Sequence, residues 1–413
     1  MSGTERHRWI IVGGLFVILV VLFGGFLNFG VFFDPLLKAF SWSHEQTSSL
    51  LTALLLALTV ASPIVGLMLE RIEAQTSMIG GALLAIVAYL IASHAHSYGV
   101  MLAAFVILGV ALAMSTLVPA QVVVANWFEE RQRGTAFGIA AAGTAFGGFV
   151  MVLAADAAVR SWGWRGAYLA SIVPIAVIVI PVILILVRSR PPGGVAHADS
   201  HGALPGLEIA EGFRTSAFWL IMIAYACYGF AVGLPVAHLI PFFIKLGMTP
   251  HAAAMIIAWY EVIGTGAALL MGLFGDRLGG KFALALCFAM MAVSYWALLG
   301  ANTAGFRVLF IVLFGFAVAS PTGLLALLLA QTLGLKSFGF FSGAGQFVLF
   351  LGLSFAPFVG GWIVDVTLSY REAFGLCALL AVVGGLVSLA VTVPKQMAAA
   401  PSDSSETMSV SAR

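Results

Sequence analysis

The feature that most restricts this chain is the length of its apolar runs. Residues 9–33 pass without a single charged side chain, and runs of similar character recur to residue 393. A helix needs about 20 apolar residues to cross the hydrocarbon core of a bilayer. Backbone groups inside hydrocarbon must bond within their own segment unless they close a barrel, and the period-2 alternation of barrel strands is absent here. The runs therefore predict spanning helices over 9–33, 46–69, 76–95, 98–126, 135–158 and 165–187, then over 216–244, 251–274, 281–301, 306–333, 338–364 and 371–393. That is an all-α membrane protein of twelve transmembrane helices, in two pseudo-symmetric six-helix halves.

Composition agrees. With 62% hydrophobic and 9% charged residues and a mean hydropathy of +1.08, a water-soluble globular chain of this length is excluded. A net charge of only +2 gives no electrostatic footprint for nucleic acid. Cys227, Cys287 and Cys377 each sit inside an apolar run without metal-ligand spacing and read as small buried hydrophobes. No metal or cofactor is expected. The first run is too long for a signal-peptide core and lacks a small-residue cleavage site, so it is expected to stay as span 1.

The chain is also duplicated. Residues 272–281 read GLFGDRLGGK, a charged, glycine-rich turn between two apolar runs, and 206 positions earlier residues 66–75 read GLMLERIEAQ. Glu70 falls opposite Asp276 and Arg71 opposite Arg277. A second echo at the same offset sets Trp164-Arg165-Gly166-Ala167-Tyr168 against Tyr370-Arg371-Glu372-Ala373-Phe374. Two landmarks in one register mark two halves, expected at 1–187 and 216–393. Between them 188–215 is polar and rich in Pro and Gly, a linker, and 394–413 reads as a disordered tail.

Orientation follows from Lys and Arg on alternate loops. With the N-terminus inside, thirteen of the nineteen basic residues fall on the inner side and six (Lys38, Arg160, Arg165, Lys245, Arg307, Arg371) on the outer. Both termini and the linker are expected in the cytoplasm, with the chain multi-pass in a plasma or inner membrane.

The turn Gly272 to Asp276-Arg277, a further glycine and Lys281 resembles the loop signature of the major facilitator superfamily of secondary transporters, which joins helices 2 and 3 and again 8 and 9. The resemblance implies a gating set of Gly272, Asp276, Arg277 and Lys281 with the fainter copy Gly66, Glu70 and Arg71, in which Asp276 faces the start of a helix in the other half. Within that superfamily, Asn126-Trp127-Phe128, two acids, Arg131 and Arg133-Gly134, then Gly138-Ile139 and Gly143, with Gly163-Trp164-Arg165 later, resemble the monocarboxylate and oxalate:formate porter branch. Gly24-Gly25, Gly30-Val31-Phe32-Phe33 and Phe40-Ser41-Trp42-Ser43 fit the same branch. That branch holds a substrate carboxylate with an arginine inside helix 8. Here the matching position is Ala268, and helices 1 and 11 have no internal lysine. The bidentate guanidinium that makes an anion cavity selective has no counterpart.

Ionisable groups at membrane depth are functional candidates. Glu261 lies about ten residues into helix 8, roughly 15 Å deep at 1.5 Å per residue, and no other carboxylate is as deep. Trp259 and Tyr260 flank it. It reads as a proton carrier or substrate partner, because desolvation favours the neutral form of an acid; a glutamate bonded between helices is the plainer reading. Helix 7 contains Pro235 and Pro241, which are expected to break it and let His238 titrate in the pathway, or else stand as an interfacial histidine. Asn28, Gln121 and Gln346 are isolated amides, each of which must find a partner or line the cavity. Asp156 and Asp365 read as ion-pair formers with Arg160 and Arg371. His94 and His96 read as a solvated turn.

These observations predict a secondary transporter, not an enzyme, that moves a small organic solute by alternating access as a monomer. Resemblance points to an organic acid, with protons coupled through Glu261. The alternatives are an exporter of neutral or cationic compounds and, in another class, a membrane signalling scaffold. No nucleotide-binding Gly-x4-Gly-Lys-Ser/Thr occurs.

Overall fold

The computed structural model describes residues 3–189 and 204–394. The tail and most of the linker therefore lie outside the described residues. Fifteen α-helices make up the described chain. Eleven continuous helical stretches are long and apolar enough to cross a membrane, and a turn inside one of them makes twelve spans.

Span 1 is α1 (Gly3–Leu27) followed by α2 (Phe29–Phe40). α3 (His44–Met68) starts in a capping box, Ser43 and Gln46 each accepting the other's backbone N–H. α4 (Ala74–Ser93) and α5 (Tyr98–Ser115) follow, and α6 (Leu117–Trp127) completes span 4. α7 runs Glu130–Pro174 with Gly163 at φ +67°, the left-handed turn that separates spans 5 and 6. A π-helical turn at Ile175–Val179, between Pro174 and Pro181, leads into α8 (Ile180–Leu186). In the second half α10 (Ser216–Lys245), α11 (Pro250–Leu278), α12 (Gly280–Leu299), α13 (Ala304–Leu333), α14 (Phe338–Thr367) and α15 (Arg371–Ala390) are single spans.

One expectation about helix breaks is overturned. Helix 7 does not break: α10 is continuous through Pro235 and Pro241. A proline cannot bond the carbonyl four residues earlier. For Pro235 that carbonyl belongs to Ala231, and the Tyr295 hydroxyl of α12 donates to it, so the freed acceptor is satisfied without unwinding. The breaks fall instead at Asn28 and at Thr116. Thr116 leaves helical geometry (φ −116°, ψ −113°) three residues before Pro119, which takes a first-turn position in α6.

The linker is also more structured at its end than its composition suggests. Leu207 N–H donates to Leu333 O (2.9 Å), Leu335 N–H to Pro205 O (2.7 Å), and Lys336 pairs with Glu208 (2.9 Å) beside the short α9 (Ile209–Phe213). The Glu208 hydrogen bond and charge hold the Lys336 amine above its ordinary range.

Within the first half α1 packs on α7 and α3 on α5; within the second, α10 packs on α14 and α11 on α13. The halves meet along α3–α14 and α7–α11. Twelve spans put both described chain ends on one side, called the termini side below, opposite the far side.

Candidate functional site

The seam between the halves is built from glycines on the termini side. A Cβ on Gly66 of α3 would overlap the Gly339 carbonyl of α14, and one on Gly272 of α11 would overlap the Gly134 carbonyl of α7. Backbones this close exclude any side chain. The bare backbone at Gly134 also admits a carboxylate. Gly134 N–H donates to Asp276 Oδ1 (2.6 Å), Thr135 N–H to Oδ2 (2.8 Å), and the Thr135 hydroxyl donates to the same oxygen. Asp276 thus clasps the first turns of α7, where the helix dipole favours negative charge. Arg133, buried and bonded to Phe128 O (3.0 Å), adds its charge nearby.

The duplicate turn is weaker. Glu70 has no hydrogen bond from its side chain among the described residues; burial pushes its carboxyl above the usual carboxylate range, and the Arg71 charge opposes this. Arg71 is exposed. Arg277 lines a cavity of 570 Å³ with Trp9, Arg131 and Asp276, and Lys281 lies over the Phe282 ring at 5.1 Å.

Deeper in the seam, Ser342 Oγ donates to Gln121 Oε1 (2.5 Å) and Gln121 Nε2 to Thr322 O (3.3 Å). One amide so joins α6, α13 and α14 across the halves. One turn past Ser342, Gln346 is fully buried with both amide atoms unpartnered. Every hydrogen bond and ring contact that crosses between the halves, among the described residues, lies on the termini side. On the far side there is none.

Glu261 sits midway along α11. It is part-buried, its side chain makes no ion pair or hydrogen bond among the described residues, and no basic side chain lies within electrostatic reach. The hydroxyls within that reach are Tyr260, against Phe314 (5.1 Å), and Tyr228 of α10, which donates to Val318 O (2.5 Å).

Other sequence candidates go elsewhere. Trp259 is 54% exposed on a stripe with Met255, Val262, Leu269 and Leu273. That stripe continues to the sealed end of α11, so it faces outward and not toward Glu261. His238 bonds Pro357 O (2.9 Å) inside the second half. Asn28 is buried at the break between α1 and α2, its side chain capping nothing. Asp156 pairs with Arg160 (2.8 Å), as spacing predicts. Asp365 forms no ion pair with Arg371 among the described residues; Leu368 between them is left-handed (φ +56°) and turns the chain before α15 begins at Arg371. His94 bonds Ser93 Oγ (2.9 Å) and Leu90 O (3.0 Å), and no metal-binding group of three or more His, Cys, Asp or Glu exists among the described residues. Sequence reasoning missed Ser342, Thr135 and Tyr228. Only Tyr228, a hydroxyl in an otherwise apolar run, gave any signal.

Two halves repeated in the same chain direction and sealed at one membrane face by glycines of the duplicated turns are the architecture of a solute carrier. The sequence profile of the Major Facilitator Superfamily matches twice, over residues 15–246 and 221–411, and the chain belongs to that family. Among curated relatives, it is 23% identical to monocarboxylate transporter 12 of Mus musculus, over 94% of this chain and 86% of that protein. Among solved structures it resembles the human organic anion transporter MFSD10 (TM-score 0.73, 13% identity, 94% of this chain and all of that one). It also resembles the transporter FucP in its outward conformation (TM-score 0.72, 15% identity, 93% and 98%). The protein is a multi-pass integral membrane transporter of a small solute, resembling the monocarboxylate transporters in sequence, and not an enzyme.

Proposed function

We propose that this transporter moves a small organic acid together with protons, alternating between a form open to the far side and one open to the termini side. The observation that carries this reading is Glu261: a lone carboxylate at mid-span, without a counter-ion, beside two tyrosines. An acid so placed binds a proton when solvent withdraws and releases it when one side opens. Tyr228, Tyr260 and Gln346 supply the polar contacts to the solute, and Asn28, at the break in span 1, faces the same path. Gly272, Asp276, Arg277 and Lys281, with Gly66, Glu70 and Arg71, form the gate on the termini side. The charge asymmetry of the loops supports a cytoplasmic termini side in a plasma or inner membrane, and the 206-residue repeat with the polar, Pro- and Gly-rich composition of 188–215 supports a linker there between halves at 1–187 and 216–393. Each monomer contains the whole path.

A second reading, transport of a neutral or cationic compound, is favoured by Ala268 and by the absence of any base near Glu261. Reconstituted vesicles separate the two. Under an imposed pH gradient, wild type should accumulate radiolabelled monocarboxylates. Glu261→Gln should lose that uphill accumulation yet still exchange solute across the membrane. Proton-driven movement of a lipophilic cation, with monocarboxylates ignored, selects the second reading. Accumulation by Glu261→Gln with wild-type pH dependence removes Glu261 from the coupling altogether.

A further inference from the structure

The two halves differ at their far-side ends. In the first half that end is plugged. Phe40 stacks on Trp42 (4.1 Å), Trp42 meets Tyr98 edge-on (5.6 Å), and the Arg165 guanidinium lies over Trp164 (4.1 Å) while donating to Ala95 O (2.8 Å). Adding 206 to each number gives the second half: Leu246, Met248, Ala304, Tyr370, Arg371 and Ala301. Three aromatic plugs are gone. The Ala301 carbonyl, counterpart of the one Arg165 caps, is taken by Arg307 (2.9 Å). The Arg371 side chain makes no hydrogen bond or ion pair among the described residues; its charge acts on the neighbouring Glu372 carboxylate, which does not line the cavity described next.

What remains is a cavity of 650 Å³, and no acid lines it. Lys245 and Arg371 stand on its wall with Tyr370; Phe242, Trp296 and Phe306 form the apolar side, Phe306 seated over Gly300 where no Cβ would fit. Lys245 spends one donor on Leu368 O (3.1 Å) and keeps two. Two cations above an aromatic floor match a molecule with an acid group on an apolar body.

We propose that this cavity is a second binding site, for an organic anion of that kind, separate from the path through Glu261. It is formed by the far-side ends of the second half alone, so it stands whether or not the transport reading does. The same chemistry is offered by a free hydrophobic carboxylate and by the headgroup of an anionic lipid.

The test uses the full chain in phosphatidylcholine nanodiscs with fluorescent 2-naphthoate as probe. Wild type should bind it. Lys245→Gln/Arg371→Gln should bind it at least tenfold more weakly. Leu246→Phe/Met248→Trp, which restores two of the three plugs of the first half, should abolish binding while thermal stability is kept. Displacement of the probe by phosphatidylglycerol in wild type assigns the site to lipid headgroups, and indifference to that lipid assigns it to soluble acids; both uphold the anion site. Unchanged affinity in Lys245→Gln/Arg371→Gln, or no binding by wild type, overturns the proposal.

Discussion

The two halves make the same close helix contact with glycines at different positions of the partners, Gly24 of α1 joining those of α7 in the first half and Gly352 of α14 joining those of α10 in the second. In the first half Gly143 and Gly147 of α7 lie against the carbonyls of Phe16 and Val20 in α1. In the second, the positions 206 residues on are Leu349 and Leu353 of α14, and their carbonyls are met by Gly229 and Gly233 of α10. The distance between backbones is what the fold keeps, and either helix can supply the missing side chain. This explains why the repeat is faint in sequence although the packing is duplicated.

Breaking this contact carries the largest expected effect. A Cβ at Gly229 would collide with the Leu349 carbonyl, backbone that cannot step aside. Overpacking costs about 1–3 kcal/mol for side chains and more where backbone must move. Gly229→Val and Gly143→Val should therefore lower the melting temperature by similar, large amounts despite lying on opposite helices. A large loss in one and a small loss in the other would show that the halves are not equivalent at this contact.

Between the halves the expected effect is smaller and different in kind. Gly66→Val leaves each half intact but pushes α3 off Gly339, so folding should survive while the termini-side seal opens. Increased labelling of single cysteines placed in that seam, with an unchanged melting temperature, is the expected result; a seam still protected would contradict it.

Much of this was legible in the sequence. Twelve spans follow from run lengths, and the duplication from the register of Asp276 and Arg371. The rest depended on partners far away in the chain. Whether Pro235 breaks its helix depends on Tyr295, sixty residues on, reaching the freed carbonyl. Gln121 could be placed only by Ser342 and Thr322 in the other half. Trp259 looked close to Glu261 because it is near in sequence, but two residues along a helix are 200° apart and face different media. Asp276 was assigned a helix start to face by resemblance alone; Gly134 and Thr135 emerged from the structure.

The smallest expected effect compares the two duplicated turns. Asp276 accepts three hydrogen bonds across the seam and Glu70 none among the described residues. Losing the charge at Asp276 should cost the closed seam about 1–2 kcal/mol, a factor of roughly 5–30 in population. Glu70→Gln should change it by less than about twofold.

One measurement tests alternating closure most directly. Spin labels at Gln132 and Leu278 report the termini side, and labels at Ala157 and His251 report the far side, all exposed positions. By double electron–electron resonance, wild type should show a short termini-side distance and a long far-side one. Asp276→Asn should lengthen the first and shorten the second in the same fraction of molecules, with Glu70→Gln close to wild type. A termini-side distance that lengthens while the far side stays unchanged would mean that the seam frays without the halves rocking, and would contradict alternating access through this clasp.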